Sequence, residues 1–590
     1  MMNYILVASI VLAALGSPVR GETTPNIILF YTDDHGHADL GIQGVVNDIK
    51  TPHLDALARS GVVARHGYST APQCVPSRGG LMVGKFHGRF ELDNNRSPLD
   101  GFNKETTMAT RLQQAGYVTA QFGKWHLGPT PEIVKHGFKH VFSQNAQRPF
   151  SANITLDGED RPMGDLPAEM YHVEGCSRAA ASLIDRYRDQ PFFLYVAYRA
   201  PHTPLDAPSK YTDRFPGKMP ERRRQALAML SAVDDGVGLI TSTLKKHGLS
   251  ERTLIFFIGD NGAPLKIHKT DSPLDGDAGG WDGSLNTPLN GEKGMLAEGG
   301  MHVPFLVAWP GAIPGGQAYH HPISALDVAA TAAGVAKLKV HPGDLDGVNL
   351  VPYLKGEIRT PPHEALMWRW SAQSAIREGN WKLLRGGERE YLYDLGADLE
   401  EKHNLASRHP DVADRLRGKL KSWSDGLNPP GLALEPMAKV WNDYFDHYLD
   451  GKLIAKPDAT AAEAGKETTS ARGWQARNGS LVELGGVLEW TPERRRPGFI
   501  TRSPLKVPGP ATLKITLRSS LSGAGAVAWR IDGDKDFLPA NRTNFQVTDS
   551  ADWQSHEVTL DSSGDIIHVR VHLPAGPSSI REIELQPGSR

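Results

Sequence analysis

Four short apolar segments, each followed by polar or charged side chains, constrain the fold of this chain more than any other feature. The segments read NIILFY, YVTAQF, FFLYVAY and TLIFFIG. Uninterrupted apolar runs of this length, bounded by polar turns, are typical of strands buried on both faces of a sheet. The side chains that follow them are, in chain order, Asp33 and Asp34, Lys124 and His126, His202, and Asp260 and Asn261.

Helical patterns lie between these segments. The clearest is RRQALAMLSAVDDGVGLITSTLKKHG, in which apolar residues recur at steps of three and four. They are Ala226, Met229, Leu230, Val233, Val237, Ile240 and Leu244. Alternating strands and helices predict a largely parallel sheet with helices on both faces. Ligands of such sheets bind beyond the carboxyl ends of the strands, so the four polar endings predict one shared site.

The donor atoms at two of these endings indicate a metal. Asp33, Asp34, Asp260 and Asn261 offer oxygen ligands, and the sequence has no cysteine and histidine cluster at zinc spacing. Such hard donors suit Ca²⁺ or Mg²⁺. A single aspartate after a strand more often caps the next helix. Adjacent Asp33 and Asp34 weaken that alternative, because two neighbouring carboxylates repel unless a cation lies between them.

Length, charge and the N-terminus bound the class of protein. A chain of 590 residues predicts a large core domain with an accessory one. The net charge of −2 gives no reason to expect a nucleic acid partner. The apolar run YILVASIVLAALG and the small residues after it predict a signal peptide over residues 1–21, and hence a secreted or periplasmic protein. No later segment is apolar enough to predict a membrane span.

An unpaired thiol is unexpected in an exported protein, where it must be buried, used or modified. Cys74 is one of two cysteines and lies in APQCVPSRGGLMVGK. Six further motifs accompany this segment in the chain: PNIILFYTDDHGHADLG, GKWHLG, APHTPLDAP, FFIGDNGAP, GEKGMLAEGGMHVP and YLYDLGADLEEKHNLA. Over about residues 24–425, this ordered set resembles the type I, formylglycine-dependent sulfatases.

The resemblance implies a fold and a modified nucleophile. The expected fold is α/β, with the mixed, largely parallel sheet and flanking helices of the alkaline-phosphatase-like superfamily, in a catalytic domain spanning residues 22–454. A maturation enzyme would oxidise Cys74 to formylglycine, whose hydrate has two hydroxyl groups. One attacks sulfur, and the second lets the side chain expel sulfate without a further attack by water. The alternative is that Cys74 is simply a small buried apolar side chain.

The resemblance also implies a role for each site residue. The cation, Ca²⁺ before Mg²⁺, would be held by oxygens of five residues: Asp33, Asp34, Asp260, Asn261 and the hydrated Cys74. Arg78 would stabilise the alkoxide of the modified side chain.

Four further residues would act on the substrate. Lys124 and Lys293 would contact sulfate oxygens. His126 would be the base for sulfate release, and His202 would contact and protonate the leaving oxygen.

Three residues depart from the usual pattern of this family. Val83 and Lys85 stand where threonine and arginine are usual, which bears on how the maturation enzyme reads the segment. His302 stands where arginine is usual, which predicts altered ion pairing rather than loss of function.

The pattern of apolar and polar residues changes in the C-terminal part of the chain. Residues 455–472 lack an apolar period and predict a linker. Residues 473–590 alternate apolar and polar residues in short segments, which predicts an all-β, sandwich-like accessory domain. Its strands should turn one set of apolar residues inward: Leu513, Ile515, Leu517, Val558, Leu560, Ile567, Val569, Val571 and Leu573. Four tryptophans either fill the core, the favoured interpretation, or bind carbohydrate: Trp474, Trp490, Trp529 and Trp553.

These features together predict an exported, calcium-dependent sulfuric ester hydrolase that acts on a sulfated carbohydrate. One alternative is a phosphatase or phosphodiesterase of the same superfamily, although those relatives use serine or threonine as nucleophile. Another is a catalytically silent protein that binds sulfated glycans and retains the Cys74 thiol.

Overall fold

The computed structural model describes residues 24–143, 151–153, 155–156, 159–160, 164–165, 170–265, 283–432, 436–452, 470–477, 479–492, 498–534, 537–538, 540–574 and 576–588. The signal peptide expected over residues 1–21 lies outside them, as do residues 455–469 of the expected linker. The chain divides into two compact units, Met1–Lys456 and Pro457–Arg590. Each is described by itself below.

The α-helices of the described residues all lie in the first unit. In chain order they are α1 (Pro52–Arg59), α2 (Cys74–Val83), α3 (Asp100–Asn103), α4 (Met108–Gln114), α5 (His172–Tyr187), α6 (Ser209–Thr212), α7 (Glu221–Lys246), α8 (Glu298–Met301), α9 (Asp327–Val335), α10 (Val351–Leu354), α11 (Pro410–Ser424) and α12 (Lys439–Tyr448). Short 3₁₀ turns occupy Gly41–Gln43, His87–Phe90, Thr130–His136 and Ser250–Arg252.

The strands of the first unit, in chain order, are β1 (Asn26–Asp33), β2 (Val62–Ala64), β3 (Gly67–Tyr68), β4 (Val118–Gly123), β5 (His140–Ser143), β6 (Ser151–Asn153), β7 (Thr155–Leu156), β8 (Glu159–Asp160), β9 (Gly164–Asp165), β10 (Phe192–Pro201), β11 (Thr253–Gly259), β12 (Phe305–Ala308), β13 (Gln317–Tyr319), β14 (Ile323–Ser324), β15 (Leu366–Trp370), β16 (Gln373–Glu378), β17 (Trp381–Gly386) and β18 (Arg389–Asp394). Ten of them form the main sheet, in the order β13-β2-β12-β11-β1-β10-β4-β5-β6-β9.

The centre of the main sheet is parallel, as predicted. Strands β11, β1, β10, β4 and β5 run in one direction, and β12, β2 and β6 add antiparallel pairs outside them. The four apolar segments of the sequence are four adjacent strands of this five-stranded parallel block. Their carboxyl ends therefore lie side by side at one edge.

Both faces of the sheet are covered by helices. Ile28 and Phe30 face a core shared with α1, α5 and α7, whereas Ile27 and Leu29 face one shared with α2, α4 and α9. The helix predicted from the sequence is α7. In the part of the chain that the structure describes, only α7 is long and apolar enough to cross a membrane, and 72% of that apolar stretch is buried inside the protein.

A smaller sheet completes the first unit. Strands β15 to β18 form a four-stranded antiparallel sheet in sequence order. Helix α11 packs on one face through Leu416 and Leu420, and α12 contributes Phe445 to the core on the other.

The second unit contains two antiparallel sheets around one core. Its strands are β19 (Ser470–Ala471), β20 (Trp474–Arg477), β21 (Gly479–Leu484), β22 (Val487–Pro492), β23 (Phe499–Arg502), β24 (Val507–Pro508), β25 (Ala511–Ser519), β26 (Gly523–Ile531), β27 (Arg542–Val547), β28 (Ser550–Leu560), β29 (Asp565–His572) and β30 (Ser578–Pro587). Strands β19, β20, β23, β24, β29, β26 and β27 form one sheet, and β21, β22, β30, β25 and β28 the other.

The core between these sheets agrees with the predicted alternation except at one position. Ile566 is fully buried and Ile567 is only half-buried, the reverse of the prediction. The register between β26 and β29 shifts at this point, because Arg530 pairs with His568 but Ile531 pairs with Ile566. The extra residue of this β-bulge turns Ile567 away from the core.

Three of the four tryptophans of the second unit lie in its core, and one lies outside it. Trp474, Trp490 and Trp529 lie in the core and are at most 2% exposed, as the favoured interpretation predicted. Trp553 is half-buried, and the guanidinium carbons of Arg518 and Arg581 lie 5.1 and 5.9 Å from its ring centre. Core packing therefore accounts for three of the four tryptophans of this domain.

Candidate active site

The residues predicted to form the site meet at the carboxyl edge of the parallel strands. Asp33 is the last residue of β1, and Asp260 directly follows β11. Lys124 follows β4, and His202 follows β10. Strand order alone brings these four side chains together, because β11, β1, β10 and β4 are consecutive neighbours in the sheet.

Two site residues adopt a backbone conformation that L-residues avoid. Asp34 has a φ of 60° and His126 a φ of 64°. The left-handed region costs about 1–2 kcal/mol for a residue with a Cβ atom, and such residues cluster at functional sites. The rest of the fold must therefore hold both side chains in place against their local preference.

Cys74 begins helix α2, all of whose residues are buried. Its Sγ lies 3.4 Å from Asp33 Oδ1 and 4.0 Å from Asp34 Oδ1. Burial raises the pKa of the Cys74 thiol far above its ordinary value, despite the charges of Lys124 and Lys293. The unmodified side chain is therefore a neutral thiol, which is a poor nucleophile.

Three cations pair with the three carboxylates of the site. The closest pairs are Arg78 Nη2 with Asp260 Oδ2 at 2.7 Å, Lys124 Nζ with Asp33 Oδ2 at 2.5 Å and Lys293 Nζ with Asp34 Oδ1 at 2.6 Å. Each carboxylate therefore has a cation beside it. Such pairing is required because a buried charge without a partner is costly to remove from water.

The protonation of the carboxylates reflects these pairs. Burial opposes ionisation of Asp33, but the charges of Lys124 and Arg78 hold its pKa well below the usual range. Burial, together with the charge of Asp33, raises the pKa of Asp260 to about 7. Asp33 is therefore ionised at neutral pH, whereas Asp260 is only partly ionised there.

The two histidines of the site are neutral in this arrangement. Burial and the nearby charges of Lys124 and Arg78 lower the pKa of His126 to about 2. Burial lowers the pKa of His202 to about 4, although Asp33 and Asp34 oppose this. His202 Nε2 lies 3.6 Å from Asp34 Oδ2, and its Nδ1 lies 2.6 Å from the carbonyl oxygen of Thr203. The Nδ1 proton is thus fixed on Thr203, and Nε2 faces the site.

The residues of the site fit a divalent cation. Ligand atoms of Asp33, Asp34, Cys74 and Asp260 all lie within 4.8 Å of one another. Asn261 donates its Nδ2 to Asp34 Oδ1 at 2.7 Å, while its buried Oδ1 has no hydrogen-bond partner within the described part of the chain. An oxygen-rich cluster with an unused amide oxygen is the donor set that Ca²⁺ and Mg²⁺ prefer.

Several residues that position the site were not singled out from the sequence. Ser77 donates from Oγ to the backbone oxygen of Asp260 at 2.5 Å, and Tyr195 accepts from Arg78 at 3.3 Å. Asn95 Oδ1 accepts the backbone N–H of Val75 at 3.0 Å, which satisfies a free amide at the start of α2. Only Ser77 lies in a recognisable motif. Tyr195 and Asn95 come from segments that are distant in sequence, and nothing in the sequence indicates that they contact the site.

The histidines near the motifs are structural. His35 lies with Nδ1 3.0 Å from Thr32 Oγ1 and Nε2 2.8 Å from the Asp39 carbonyl oxygen. His302 Nδ1 lies 3.0 Å from Glu298 Oε2 and is 1% exposed. In place of the usual arginine, the histidine at this position thus lies within hydrogen-bonding distance of Glu298.

A cavity of about 500 Å³ adjoins the site. Its lining includes Asn94, Gln373 and Trp441. Gln373 donates from Nε2 to the carbonyl oxygen of Gly294, the residue after Lys293, at 2.8 Å. The ring of Trp441 packs so closely on Gly294 that a Cβ there would lie 2.4 Å from it. The cavity therefore lies beside the segment that carries Lys293.

Comparison with known proteins identifies the family. The sequence profile described as Sulfatase matches residues 25–338, more than half of the chain. The chain belongs to the sulfatase family. It is therefore a sulfuric ester hydrolase of the alkaline-phosphatase-like superfamily, and the phosphatase alternative loses its support.

Individual relatives are similar over most of their length. N-acetylgalactosamine-6-sulfatase of Mus musculus is 32% identical over 409 residues, covering 63% of this sulfatase and 74% of that protein. The uncharacterized sulfatase YdeN of Escherichia coli (strain K12) is 29% identical over 505 residues, covering 69% and 86%. The crystal structure of Ps i-CgsB in complex with k-i-k-neocarrahexaose is 29% identical, with a TM-score of 0.61 and coverage of 74% and 100%.

Proposed function

We propose that this enzyme is exported and hydrolyses sulfate esters of a sulfated carbohydrate, with a formylglycine at position 74 and a bound Ca²⁺. The observation that carries the proposal is the position of Cys74. Its Sγ is 3.4 Å from Asp33, at the start of a buried helix and among three carboxylates and three cations.

The buried Cys74 supports its conversion. A neutral thiol with a strongly raised pKa cannot attack sulfur efficiently at neutral pH. A formylglycine supplies a hydrated aldehyde, whose hydroxyl group is the nucleophile and which needs no second attack on sulfur. Arg78 faces this position from the next turn of α2 and supplies positive charge there.

The cation would be held by Asp33, Asp34, Asp260 and Asn261, together with the modified side chain of residue 74. When bound, it supplies positive charge that polarises the sulfate ester and the nucleophile. With a divalent cation added to the balanced charges of the site, the net charge becomes positive, which favours an anionic substrate. The oxygen-only donor set favours calcium.

The remaining residues bind the ester and move protons. Lys124 and Lys293 place ammonium groups where sulfate oxygens can replace their present carboxylate partners. His126, neutral at working pH, accepts a proton during sulfate release. His202 exchanges its proton at Nε2, because Nδ1 is fixed on Thr203. The negative charge of a bound ester raises the pKa of His202 toward the range that a proton donor needs.

Two observations support a carbohydrate substrate. The similar mouse protein is named for an N-acetylgalactosamine sulfate, and the similar crystal structure contains a neocarrahexaose. The cavity beside Lys293 combines polar amides with the Trp441 ring, a lining that suits the polar edges and apolar faces of a sugar. We assign the sugar that carries the sulfate to this cavity.

Export and maturation follow from the sequence. The apolar run before residue 22 supports a secreted or periplasmic location. A sulfatase-maturating enzyme would then be the partner that modifies Cys74 during or before export.

The decisive experiment is mass spectrometry of the tryptic peptide 66–78, with the enzyme purified from its native host. Conversion of Cys74 predicts a mass about 18 Da below that of the thiol peptide. The same preparation should hydrolyse an aryl sulfate faster than the matched aryl phosphate. Brisk turnover by protein with an unmodified peptide would contradict the formylglycine.

A chelator separates the cation from the rest of the proposal. Dialysis against EDTA should abolish aryl sulfate turnover and lower the thermal unfolding temperature, because an ion that binds only the folded state stabilises it. Addition of Ca²⁺ should restore both readouts. An unmodified peptide with no turnover but retained glycan binding would instead support the silent binding protein.

A further inference from the structure

One face of the seven-stranded sheet in the second unit has an unusual composition. Val569 and Val571 of β29 lie in the core, so the residues between and beside them point to the opposite face. Strand pairing arranges that face in three rows across the sheet. The rows are Arg477–Phe499–His572–Ala526–Asn544, Gln475–Thr501–Arg570–Ala528–Arg542 and His568–Arg530. We call these residues, with Phe537, the arginine face.

Aromatic contacts order the middle of the arginine face. The guanidinium carbon of Arg570 lies 3.9 Å from the ring centre of Phe537 and 5.0 Å from that of Phe499. His568 meets Phe537 edge-on with ring centres 4.8 Å apart, and His572 is tilted against Phe499 at 5.1 Å. Five side chains thus form one cluster of contacts, so the entropy of ordering them is lost on folding rather than on ligand binding.

Three of the four arginines on this face lack an acidic partner in the described part of the domain. None of the three rows contains an acidic residue. Arg477, Arg530 and Arg542 form no ion pair within the described part of the domain. On the other sheet, by contrast, Lys514 pairs with Glu557 at 2.9 Å. The arginine face is therefore an electropositive strip.

The pKa values of the two histidines on this face reflect the same positive charge. Burial and the charges of Arg570, Arg530 and Arg477 lower the pKa of His568. Burial and the charges of Arg542 and Arg570 lower that of His572. The named charges that act on either histidine are all cations, as expected where the three described rows hold no carboxylate.

We propose that the arginine face binds a sulfated polysaccharide. Guanidinium groups bind sulfate oxygens through paired hydrogen bonds, and the edges of Phe499 and Phe537 offer apolar contact to sugar rings. A strip several strands wide suits a polymer with repeated sulfates better than a single small anion. The anionic nature of the ligand follows from the face alone, whereas its carbohydrate nature rests on the proposed function.

Such a site would keep the catalytic unit near its substrate. A second binding site on the same polymer raises the effective concentration of sulfate esters at the first. The face would therefore affect turnover of polymers and leave that of small sulfate esters unchanged.

The test compares two double variants of the full chain by affinity electrophoresis in gels containing dextran sulfate. Arg477→Ala with Arg542→Ala removes two exposed charges from the arginine face. Arg518→Ala with Arg581→Ala removes two exposed charges from the other sheet and is the matched control. We expect the first variant to bind dextran sulfate about tenfold more weakly or worse, and the control to stay within about twofold of wild type.

Further measurements decide what the face recognises. Turnover of a small aryl sulfate should be equal in all three proteins, and neutral dextran should not retard any of them. Equal loss in both double variants, or equal retardation by neutral dextran, would overturn the proposal. Retardation of wild type by duplex DNA as strong as that by dextran sulfate would also overturn it, since the face would then be a general polyanion surface. If dextran sulfate binds as expected but aryl sulfate is not hydrolysed, the proposed function fails and this inference stands.

Discussion

The active site and the arginine face concentrate positive charge in opposite ways. In the catalytic unit, Arg78 and Asp260 are both fully buried and pair at 2.7 Å. In the second unit, Arg477 and Arg542 are exposed and lack acidic neighbours in their rows. A buried charge needs a partner because desolvation is costly, whereas an exposed one remains hydrated. The first arrangement fixes atoms for chemistry, and the second leaves charge available to a large ligand.

Sheet topology explains the contrast. Parallel strands deliver polar residues to one edge, where Asp33 of β1 and Lys124 after β4 meet across the end of β10. Antiparallel strands in a sandwich deliver every second residue to an outer face, where Arg570 and Arg542 lie in one row. Chemistry is therefore expected at strand ends in the first unit and recognition across strands in the second.

The largest expected effect is loss of turnover in His126→Ala. If His126 accepts a proton as proposed, its removal should lower kcat for an aryl sulfate about 10²–10⁴-fold. Because His126 is half-buried and has a φ of 64°, its replacement should cost little stability. Steady-state kinetics with thermal unfolding as the folding control measures both. Loss of activity together with loss of folding would show that His126 is structural.

A second comparison lies within the active site. Arg78→Met leaves Asp260 buried without its cation, which should lower the free energy of unfolding by about 3–5 kcal/mol. Lys293→Met should cost less, because the Lys293 side chain is 16% exposed and water can reach Asp34 once it is removed. Urea unfolding measures both variants. Equal destabilisation would mean that burial does not set the energetics of these pairs.

Two tryptophan variants test, in the second unit, whether burial sets the energetic cost of removing a side chain. Trp529→Ala removes a core side chain and should destabilise that domain by about 3 kcal/mol, the low end for such a change, because its buried indole N–H has no partner within the described residues. Trp553→Ala loses only its contacts with Arg518 and Arg581, which are worth about 1 kcal/mol together. Unfolding followed by tryptophan fluorescence distinguishes them. Aryl sulfate turnover should be unchanged in both variants.

The sequence indicated the active site well because its residues follow recognisable strands. Asp33, Asp260, Lys124 and His202 each lie at the end of a strand or directly after it, so predicting the strands also predicted where these residues lie. Asn95 supports α2 from a segment with no apolar period, and a contact of that kind has no local signal.

The arginine face shows a different limit. The alternation that predicts a strand also predicts that Arg570 points away from the core, but not which residues lie beside it. Its neighbours Thr501 and Ala528 come from strands about 40 to 70 positions away, and strand order decides that they meet. The bulge at Ile567 shifts the register further. Pairing between distant strands, rather than composition, builds this surface.

The smallest expected effect concerns a carboxylate that caps a helix away from the active site. Asp234 of α7 accepts the backbone N–H groups of His53 and Leu54 at the start of α1. Burial nevertheless raises the pKa of Asp234 to about 6. If burial governs the interior of this unit, as the comparison with the arginine face suggests, protonation of Asp234 must favour folding.

The sign of the pH effect follows from this shift. A folded-state pKa above the ordinary value of about 3.9 means that the folded protein binds the proton more tightly. The contribution of Asp234 to stability is then complete below about pH 4 and is lost as pH rises through about 6. Asp234→Asn keeps an acceptor oxygen but does not titrate. The wild-type advantage over this variant should therefore shrink by at most about 3 kcal/mol between pH 4 and pH 7.5 in urea unfolding, while other titrating groups cancel in the difference. An advantage that grows with pH would mean that the two N–H groups outweigh burial and that Asp234 is a charged cap.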